Sequence, residues 1–228
     1  MNAALSREVE INPRHAALLI IDVQNHTARR DGGAYLGLGQ REIDERFGFF
    51  FETLRTDAVP NMQRLQAACR RGGIEVLYTV IESLTRDGRD RSLDYKISGI
   101  HVPKGGRDAR VLAEIAPAGD EIVIPKTSSS VFISTNIDYV LRNLGARSLI
   151  IAGILTDQCI DSAVRDACDL GYLVTVPTDS CATYSRERHE SSLRNAAGYA
   201  RQRTTAELVA EIERLTQSPL PQCERGEL

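Results

Sequence analysis

Asp22, Lys126 and Cys159 carry reactive side chains, and each follows closely on a short apolar run. A thiol can attack a carbonyl carbon, and a carboxylate can take the thiol proton and later hand one to a leaving amine. An ammonium group nearby favours the thiolate. If the fold brings the three side chains together, the sequence predicts nucleophilic catalysis at a carbonyl group.

Cys159 has the sequence context that best fits catalysis. It stands at the start of a predicted helix, 160–170, and Thr156, Asp157 and Gln158 make this helix start polar. The unpaired N–H groups and the dipole of a helix start favour a thiolate. The same N–H groups can bind the oxyanion that forms when a thiolate attacks a carbonyl.

The other cysteines are interpreted as structural. Five cysteines are an odd number, they are widely spaced, and none forms a C-x-x-C pair, so neither a zinc site nor a redox motif is supported. Reduced thiols are expected, and burial on an apolar helix face suits Cys69 and Cys168. The five are Cys69, Cys159, Cys168, Cys181 and Cys223.

The elements that must position the three reactive residues alternate along the chain. Short, nearly continuous β-branched runs indicate strands buried on both faces of a parallel sheet. They are 17–21, 74–80, 121–124, 148–152 and 173–176. Helical patterns lie at 59–71, 109–115, 137–144, 160–170, 186–200 and 205–215. The alternation predicts an α/β fold with a doubly wound, open, mostly parallel sheet and helices on both faces, in one domain of residues 1–228.

Two long connections, 26–39 and 82–106, follow the carboxyl ends of predicted strands, where open α/β sheets bind ligands. Loops of this length are usually functional or mobile. Three arginines of the second connection could bind a substrate carboxylate or could simply be solvated charges: Arg86, Arg89 and Arg91. The aromatic cluster Phe47, Phe49, Phe50 and Phe51 suits core packing, a subunit contact or a pocket wall.

Composition excludes several classes of protein. The chain has 228 residues, 42% of them hydrophobic and 26% charged, and a net charge of −3 with scattered Lys and Arg. No basic patch indicates nucleic-acid binding, and no apolar stretch approaches the roughly 18 residues of a membrane span. Because residues 1–13 lack the apolar run of a secretory signal, we expect a cytoplasmic protein.

Three segments in this order resemble the isochorismatase-like cysteine hydrolases, over residues 16–211. They are Ala-Leu-Leu-Ile-Ile-Asp-Val-Gln at 17–24, Pro-Lys at 125–126 followed by Ser-Xaa-Phe, and Gly-Ile-Leu-Thr-Asp-Gln-Cys-Ile at 153–160. The resemblance implies a doubly wound α/β fold and an Asp22–Lys126–Cys159 triad. It also implies a cis peptide between Ile154 and Leu155, and an oxyanion hole formed by the backbone N–H groups of Leu155 and Cys159.

Within that family, the chain is more similar to the carbamoyl and ureido amidohydrolases than to the metal-dependent nicotinamidases. The segment 78–87 contains no His, and the four histidines are far apart, so neither a metal nor another cofactor is expected. The resemblance implies cleavage of a terminal amide or ureido C–N bond through a thioester, with release of ammonia. Candidate substrate-binding residues are Gln24, Asn25, Glu82, Phe132 and Gln158.

Three alternatives stay open at this point. An isochorismatase-type vinyl ether hydrolase would use Asp22 as an acid and have no need of Cys159. A nicotinamidase-type or maleamate-type amidase would share the triad but act on a different amide. A non-catalytic oligomeric binding protein would need none of the three residues. The resemblance also implies a homodimer or homotetramer.

Overall fold

The computed structural model describes residues 5–217, and its framework is a parallel sheet. In that range the sheet has seven strands in the order β3-β2-β1-β4-β5-β7, with β6 beside β4, and every strand pairing is parallel. This confirms the predicted mostly parallel α/β fold. The strands are β1 Ala16–Ile21, β2 Glu75–Ile81, β3 Ile122–Lys126, β4 Ser148–Ile154, β5 Leu173–Pro177, β6 Cys181–Ala182 and β7 Arg201–Arg203. Residues 1–4 and 218–228 of the predicted domain, with Cys223, lie outside the described residues.

Helices cover both faces of the sheet. They are α1 Asn25–Ala28, α2 Gln40–Thr53, α3 Val59–Arg71, α4 Leu93–Ile97, α5 Val131–Ser134, α6 Ile137–Asn143, α7 Asp161–Asp169, α8 Arg186–Ala196 and α9 Thr205–Gln217. Side chains of β1 alternate between two cores: Leu18 packs with α2, α3 and α9, whereas Leu19 packs with α6 and α7. Continuous apolar strands are the consequence, because both faces of the sheet are buried.

One predicted helix is wrong. The segment 109–115 is not helical: only the short 3-10 turns Arg107–Ala109 and Ala113–Ile115 form there. Between them Val111 makes an antiparallel bridge with Gln24, and the N–H of Leu112 donates to the carbonyl of Val23. In this extended conformation the segment pairs with the backbone groups of Val23 and Gln24, just after β1. A helix would use its own N–H and carbonyl groups internally and could not pair with them.

Six of the labelled elements were not predicted from the sequence: helix α2, the short helices α1, α4 and α5, and the short strands β6 and β7. Helix α2 contains the aromatic cluster and continues through a π-helical turn, Leu54–Ala58, into α3. Phe50 and Phe51 are buried in the core, while Phe49 is 37% exposed. The short strands β6 and β7 complete the sheet. Helix α8 ends at Ala196, four residues before the predicted end at residue 200, and β7 begins at Arg201.

Candidate active site

Asp22 is the first residue after β1, and its backbone turns sharply there. Its φ of 58° lies in the left-handed region, which Asp adopts more readily than most residues. Its N–H donates to the carbonyl of Thr79 on the neighbouring strand β2, and the Thr79 hydroxyl donates to Oδ1 at 2.8 Å. The carboxylate is 2% exposed, so both backbone and side chain hold it at the rim of the sheet.

Lys126, the last residue of β3, reaches Asp22 across β2. Its Nζ lies 2.8 Å from Asp22 Oδ2 and is completely buried. The ammonium also donates to Tyr95 Oη at 3.0 Å and to the carbonyls of Ser128 and Ser129 at 2.7 and 3.1 Å. Burial acts to lower the pKa of Lys126, but the negative charge of Asp22, joined by that of Cys159 whenever the thiol ionises, outweighs it and raises that pKa. The lysine is therefore charged, and its donors are occupied.

Cys159 lies in a π-helical turn, Thr156–Ile160, that leads directly into α7. Its Sγ is 3.4 Å from Lys126 Nζ. Burial raises the pKa of the thiol to about 12; the Lys126 charge acts against this, and Asp22 adds to it. The thiolate expected from a helix start and a neighbouring lysine is thus not the resting form. The thiol keeps its proton beside a carboxylate that can accept it.

The turn before Cys159 depends on Gly153. A Cβ at Gly153 would lie 2.2 Å from the carbonyl oxygen of Ile21, so only glycine lets β4 approach β1 so closely at this point. The Ile154–Leu155 peptide that follows is cis. In the turn, the N–H groups of Gln158 and Ile160 donate to the carbonyl of Leu155, and the Cys159 N–H lies between them.

Two adjoining cavities lead to the thiol. The inner one, of about 80 Å³, is bordered by Cys159, Asp22 and Leu155. The outer one, of about 540 Å³, is walled by both long connections. Residues that line both cavities are His26, Ala34, Ile100, Gln158 and Tyr184. On this measure a cavity needs about 10–15 Å³ to hold one water, so the inner cavity accommodates a group of fewer than about ten non-hydrogen atoms.

Four of the five candidate substrate-binding residues do not line these cavities. Gln24 is fully buried and bonds the N–H and carbonyl of Ile81 with its side-chain amide. Asn25 donates to the carbonyl of Arg107. Their amides are used within the fold and are not presented to a ligand.

Glu82 and Phe132 also point elsewhere. Glu82 accepts a hydrogen bond from the N–H of Gly105, and Phe132 packs against Tyr172 at 6.1 Å between ring centroids. Of the original five, Gln158 alone borders the cavities. Glu82 follows β2 and Phe132 lies in α5 after β3, and the apolar pattern of the strands does not specify the direction in which either segment leaves the sheet.

Sequence reasoning missed His26, Thr79, Tyr95 and Tyr184. Thr79 and Tyr95 hold the triad, and His26 and Tyr184 wall the cavities. The only available signal was for His26, which follows Asp22 by four residues in a polar segment. The others lie far from the triad in sequence and become neighbours only through the tertiary structure.

The arginines of the second connection are not at the cavity. Arg89 pairs with Asp87 on the surface, and Arg91 donates to the carbonyls of Gly88 and Ile100. Arg86 is exposed. Within residues 5–217, no cluster of His, Cys, Asp or Glu has the arrangement of a metal site. In the same range, no helix is both long and apolar enough to cross a membrane.

Comparison with known proteins places this geometry in context. The isochorismatase domain model matches residues 16–207. A ureidoacrylate amidohydrolase RutB of Rhizobium rhizogenes is 28% identical over 188 residues, covering 75% of this chain and 72% of the relative.

Solved structures with the same fold include a cysteine hydrolase from Pseudomonas syringae pv. phaseolicola. It has a TM-score of 0.78 at 24% identity, covering 94% of this chain and 100% of the other. An N-carbamoylsarcosine amidase from Thermoplasma acidophilum has a TM-score of 0.64 at 22% identity, with coverages of 84% and 96%.

Proposed function

The chain belongs to the isochorismatase family, and from that premise we propose that it is a cysteine amidohydrolase that cleaves a terminal amide or ureido C–N bond of a small molecule. The observation that carries this proposal is the contact of three groups at one rim of the sheet. Asp22 and Lys126 lie 2.8 Å apart, and the Cys159 thiol lies 3.4 Å from the same ammonium. A vinyl ether hydrolase has no use for this thiol.

In the first half-reaction the Cys159 proton passes to the Asp22 carboxylate as sulfur attacks the carbonyl carbon. The new C–S bond leaves a tetrahedral oxyanion, for which the backbone N–H groups of Leu155 and Cys159 are the proposed donors. Asp22 then protonates the leaving nitrogen, the C–N bond breaks, and ammonia departs from a thioester. Lys126 stays charged throughout and stabilises the negative charge shared by the sulfur and the carboxylate.

In the second half-reaction, a water molecule attacks the thioester carbon and gives a proton to Asp22. The C–S bond breaks, and the sulfur recovers a proton from Asp22. The product is a carboxylic acid, or a carbamic acid when the substrate is a ureido compound. Each half-reaction returns Asp22 and Cys159 to their starting states, so the cycle needs no further reagent.

The relatives support the substrate class at a coarse level. The named activities, ureidoacrylate amidohydrolase and N-carbamoylsarcosine amidase, belong to proteins that act on ureido or carbamoyl compounds. The inner cavity of about 80 Å³ suits the few non-hydrogen atoms of a carbamoyl group next to the thiol.

Substitution of the nucleophile tests the proposal. We expect Cys159→Ala to abolish ammonia release from every amide that the unmodified chain cleaves, with an unchanged circular dichroism spectrum. Cys181→Ala is a matched control, because that cysteine is also buried but lies on β6 and does not line the cavities. Full activity in Cys159→Ala would refute a cysteine mechanism.

A further inference from the structure

His26 is a buried imidazole in the wall of both cavities, and the proposed mechanism makes no use of it. It lies in α1, four residues after Asp22, and is 5% exposed. Its Nδ1 is fully buried and has no hydrogen-bond partner within residues 5–217. Nδ1 lies 3.6 Å from the Asp108 carboxylate oxygen Oδ2.

The carboxylate of Asp108 is fixed beside this imidazole. Its Oδ2 accepts a hydrogen bond from the N–H of Gly33 at 2.9 Å. A side chain at Gly33 would lie 2.4 Å from Asp108 Oδ2 and 2.8 Å from His26 Nδ1, so the glycine makes room for this arrangement. A carboxylate on the Nδ1 side favours the tautomer with the proton on Nδ1. The Nε2 edge, which faces away from Asp108, is then a hydrogen-bond acceptor.

The cavity walls offer no positive charge to a substrate. None of the described residues that line the two cavities is Lys or Arg, while Asp22 and Asp94 are both among them. Lys126 is buried and engaged by Asp22, Tyr95 and two carbonyls. Burial lowers the pKa of His26 despite the opposing effect of Asp108, so the imidazole is uncharged at neutral pH.

We propose that His26 makes this site selective for uncharged amides and ureido compounds, because its Nε2 accepts an N–H of the substrate where a carboxylate would find no cation. The inference rests on the proposed amidohydrolase function and narrows its substrate class. An N–H donor satisfies the acceptor, whereas a carboxylate would place negative charge beside a lone pair and two aspartates.

Ammonia release from matched substrates tests this selectivity with the full chain. Biuret, triuret and nicotinamide form an uncharged set, and ureidoacrylate, N-carbamoylsarcosine and maleamate form an anionic set. Maleamide and maleamate are the closest pair, since an amide replaces the carboxylate. We expect kcat/KM to be at least about tenfold higher for maleamide than for maleamate. The same factor should separate the best substrate of the uncharged set from the best substrate of the anionic set.

The outcomes separate the two proposals. Equal or faster turnover of the anionic set would overturn the role of His26 and leave the amidohydrolase proposal standing. No ammonia from any substrate of either set would contradict the proposed function, and the selectivity with it.

Two variants test His26 itself. His26→Arg supplies a cation, and we expect it to shift the maleamate-to-maleamide ratio of kcat/KM upward by about tenfold or more. His26→Phe keeps a ring but removes the acceptor, and it should raise KM for uncharged substrates with a smaller effect on kcat. His15→Phe, on an exposed histidine before β1, is the matched control. The proposal would be refuted if both variants fold, His26→Arg leaves the maleamate-to-maleamide ratio of kcat/KM unchanged, and His26→Phe leaves the KM for uncharged substrates unchanged.

Discussion

The proton of Cys159 is subject to opposing influences in the buried site. Burial and the Asp22 carboxylate raise the pKa of the thiol, and the Lys126 ammonium lowers it, with a net value of about 12. At neutral pH the resting site therefore contains a thiol, a carboxylate and an ammonium. In this arrangement Asp22 must act as a general base in each turnover, because no thiolate is ready beforehand.

Replacement of Asp22 by Asn separates this role from simple packing. Asp22→Asn removes the proton acceptor, so ammonia release should fall by about 10²- to 10⁴-fold. The same change removes a negative charge that raises the pKa of Cys159, while Lys126 remains. Alkylation of Cys159 by iodoacetamide at pH 8 should therefore become faster. Mass spectrometry of the Cys159 peptide measures this, with the half-buried Cys168 as internal control; slower alkylation would contradict the assignment.

The pH dependence of alkylation in the unmodified chain follows from the same pKa. Below its pKa, a thiol gains about tenfold in thiolate fraction with each pH unit, and free cysteine levels off near pH 8.5. Because the pKa of Cys159 is raised to about 12, its alkylation rate should still climb between pH 8 and pH 10. A plateau below pH 9 would show that the thiolate is the resting form.

At the scale of elements, four adjacent strands assemble the site: β1, β3 and β4 lead into the three triad residues, and β2, between β1 and β3, adds Thr79. β4 pairs directly with β1, which brings the turn before Cys159 next to Asp22. β3 is two strands away from β1, so only a long side chain such as Lys126 can reach across β2 to the carboxylate. The hydroxyl of Thr79, on the intervening strand β2, donates a hydrogen bond to that carboxylate. The spacing of the strands therefore selects the length of the side chains.

Gly153→Ala tests the close approach of β1 and β4. The new Cβ would meet the Ile21 backbone at 2.2 Å, and the residue has a φ of 125° that side chains rarely adopt. We expect a loss of about 2–4 kcal/mol in the free energy of unfolding and a large loss of ammonia release. Denaturant titration followed by circular dichroism measures the first quantity.

Gly48→Ala provides the comparison. This glycine lies in α2 with open space around it, and Ala has the higher helix propensity. The substitution should therefore leave the free energy of unfolding unchanged or raise it by up to about 1 kcal/mol. Equal effects of the two substitutions would contradict the steric argument at Gly153.

At the scale of the whole molecule, a buried ion pair joins the two ends of the described chain to the edge of the sheet. Arg201 on β7 is 2% exposed and lies 2.8 Å from Glu211 on α9. Arg201 also donates to Thr175 on β5, and the N–H of Ile11 donates to Glu211. One carboxylate thus links the last helix, the edge strand and the segment before β1.

Glu211→Gln should destabilise the fold by about 3 kcal/mol, because it leaves the Arg201 charge buried without a counter-ion. Thermal and denaturant unfolding monitor the effect, and activity measured well below the transition should change little. Glu45→Gln, in the exposed pair with Arg41, should alter the free energy of unfolding by less than about 1 kcal/mol. Equal losses in the free energy of unfolding for the two substitutions would show that burial does not increase the contribution of the Arg201–Glu211 pair.

Much of this architecture is determined by the sequence alone. Strands buried on both faces need continuous apolar residues, so the runs ending near Asp22 and Lys126 and before Gly153 are visible without coordinates. The same pattern places all three reactive residues at the carboxyl ends of parallel strands. The isochorismatase family and the α/β fold follow from those residues and their order, and both are shown by the comparisons.

The tertiary structure decided what the loops and buried polar groups do. Gln24 and Asn25 have side chains suited to a ligand, yet nearby backbone groups bind them first. No sequence pattern shows whether His26 lines a cavity or lies on the surface, and Asp108, whose carboxylate lies near its ring, is 82 residues away. The state of the Cys159 proton depends on burial and on two charges from other strands. These properties arise from distances between residues remote in sequence, and local patterns contain no information about those distances.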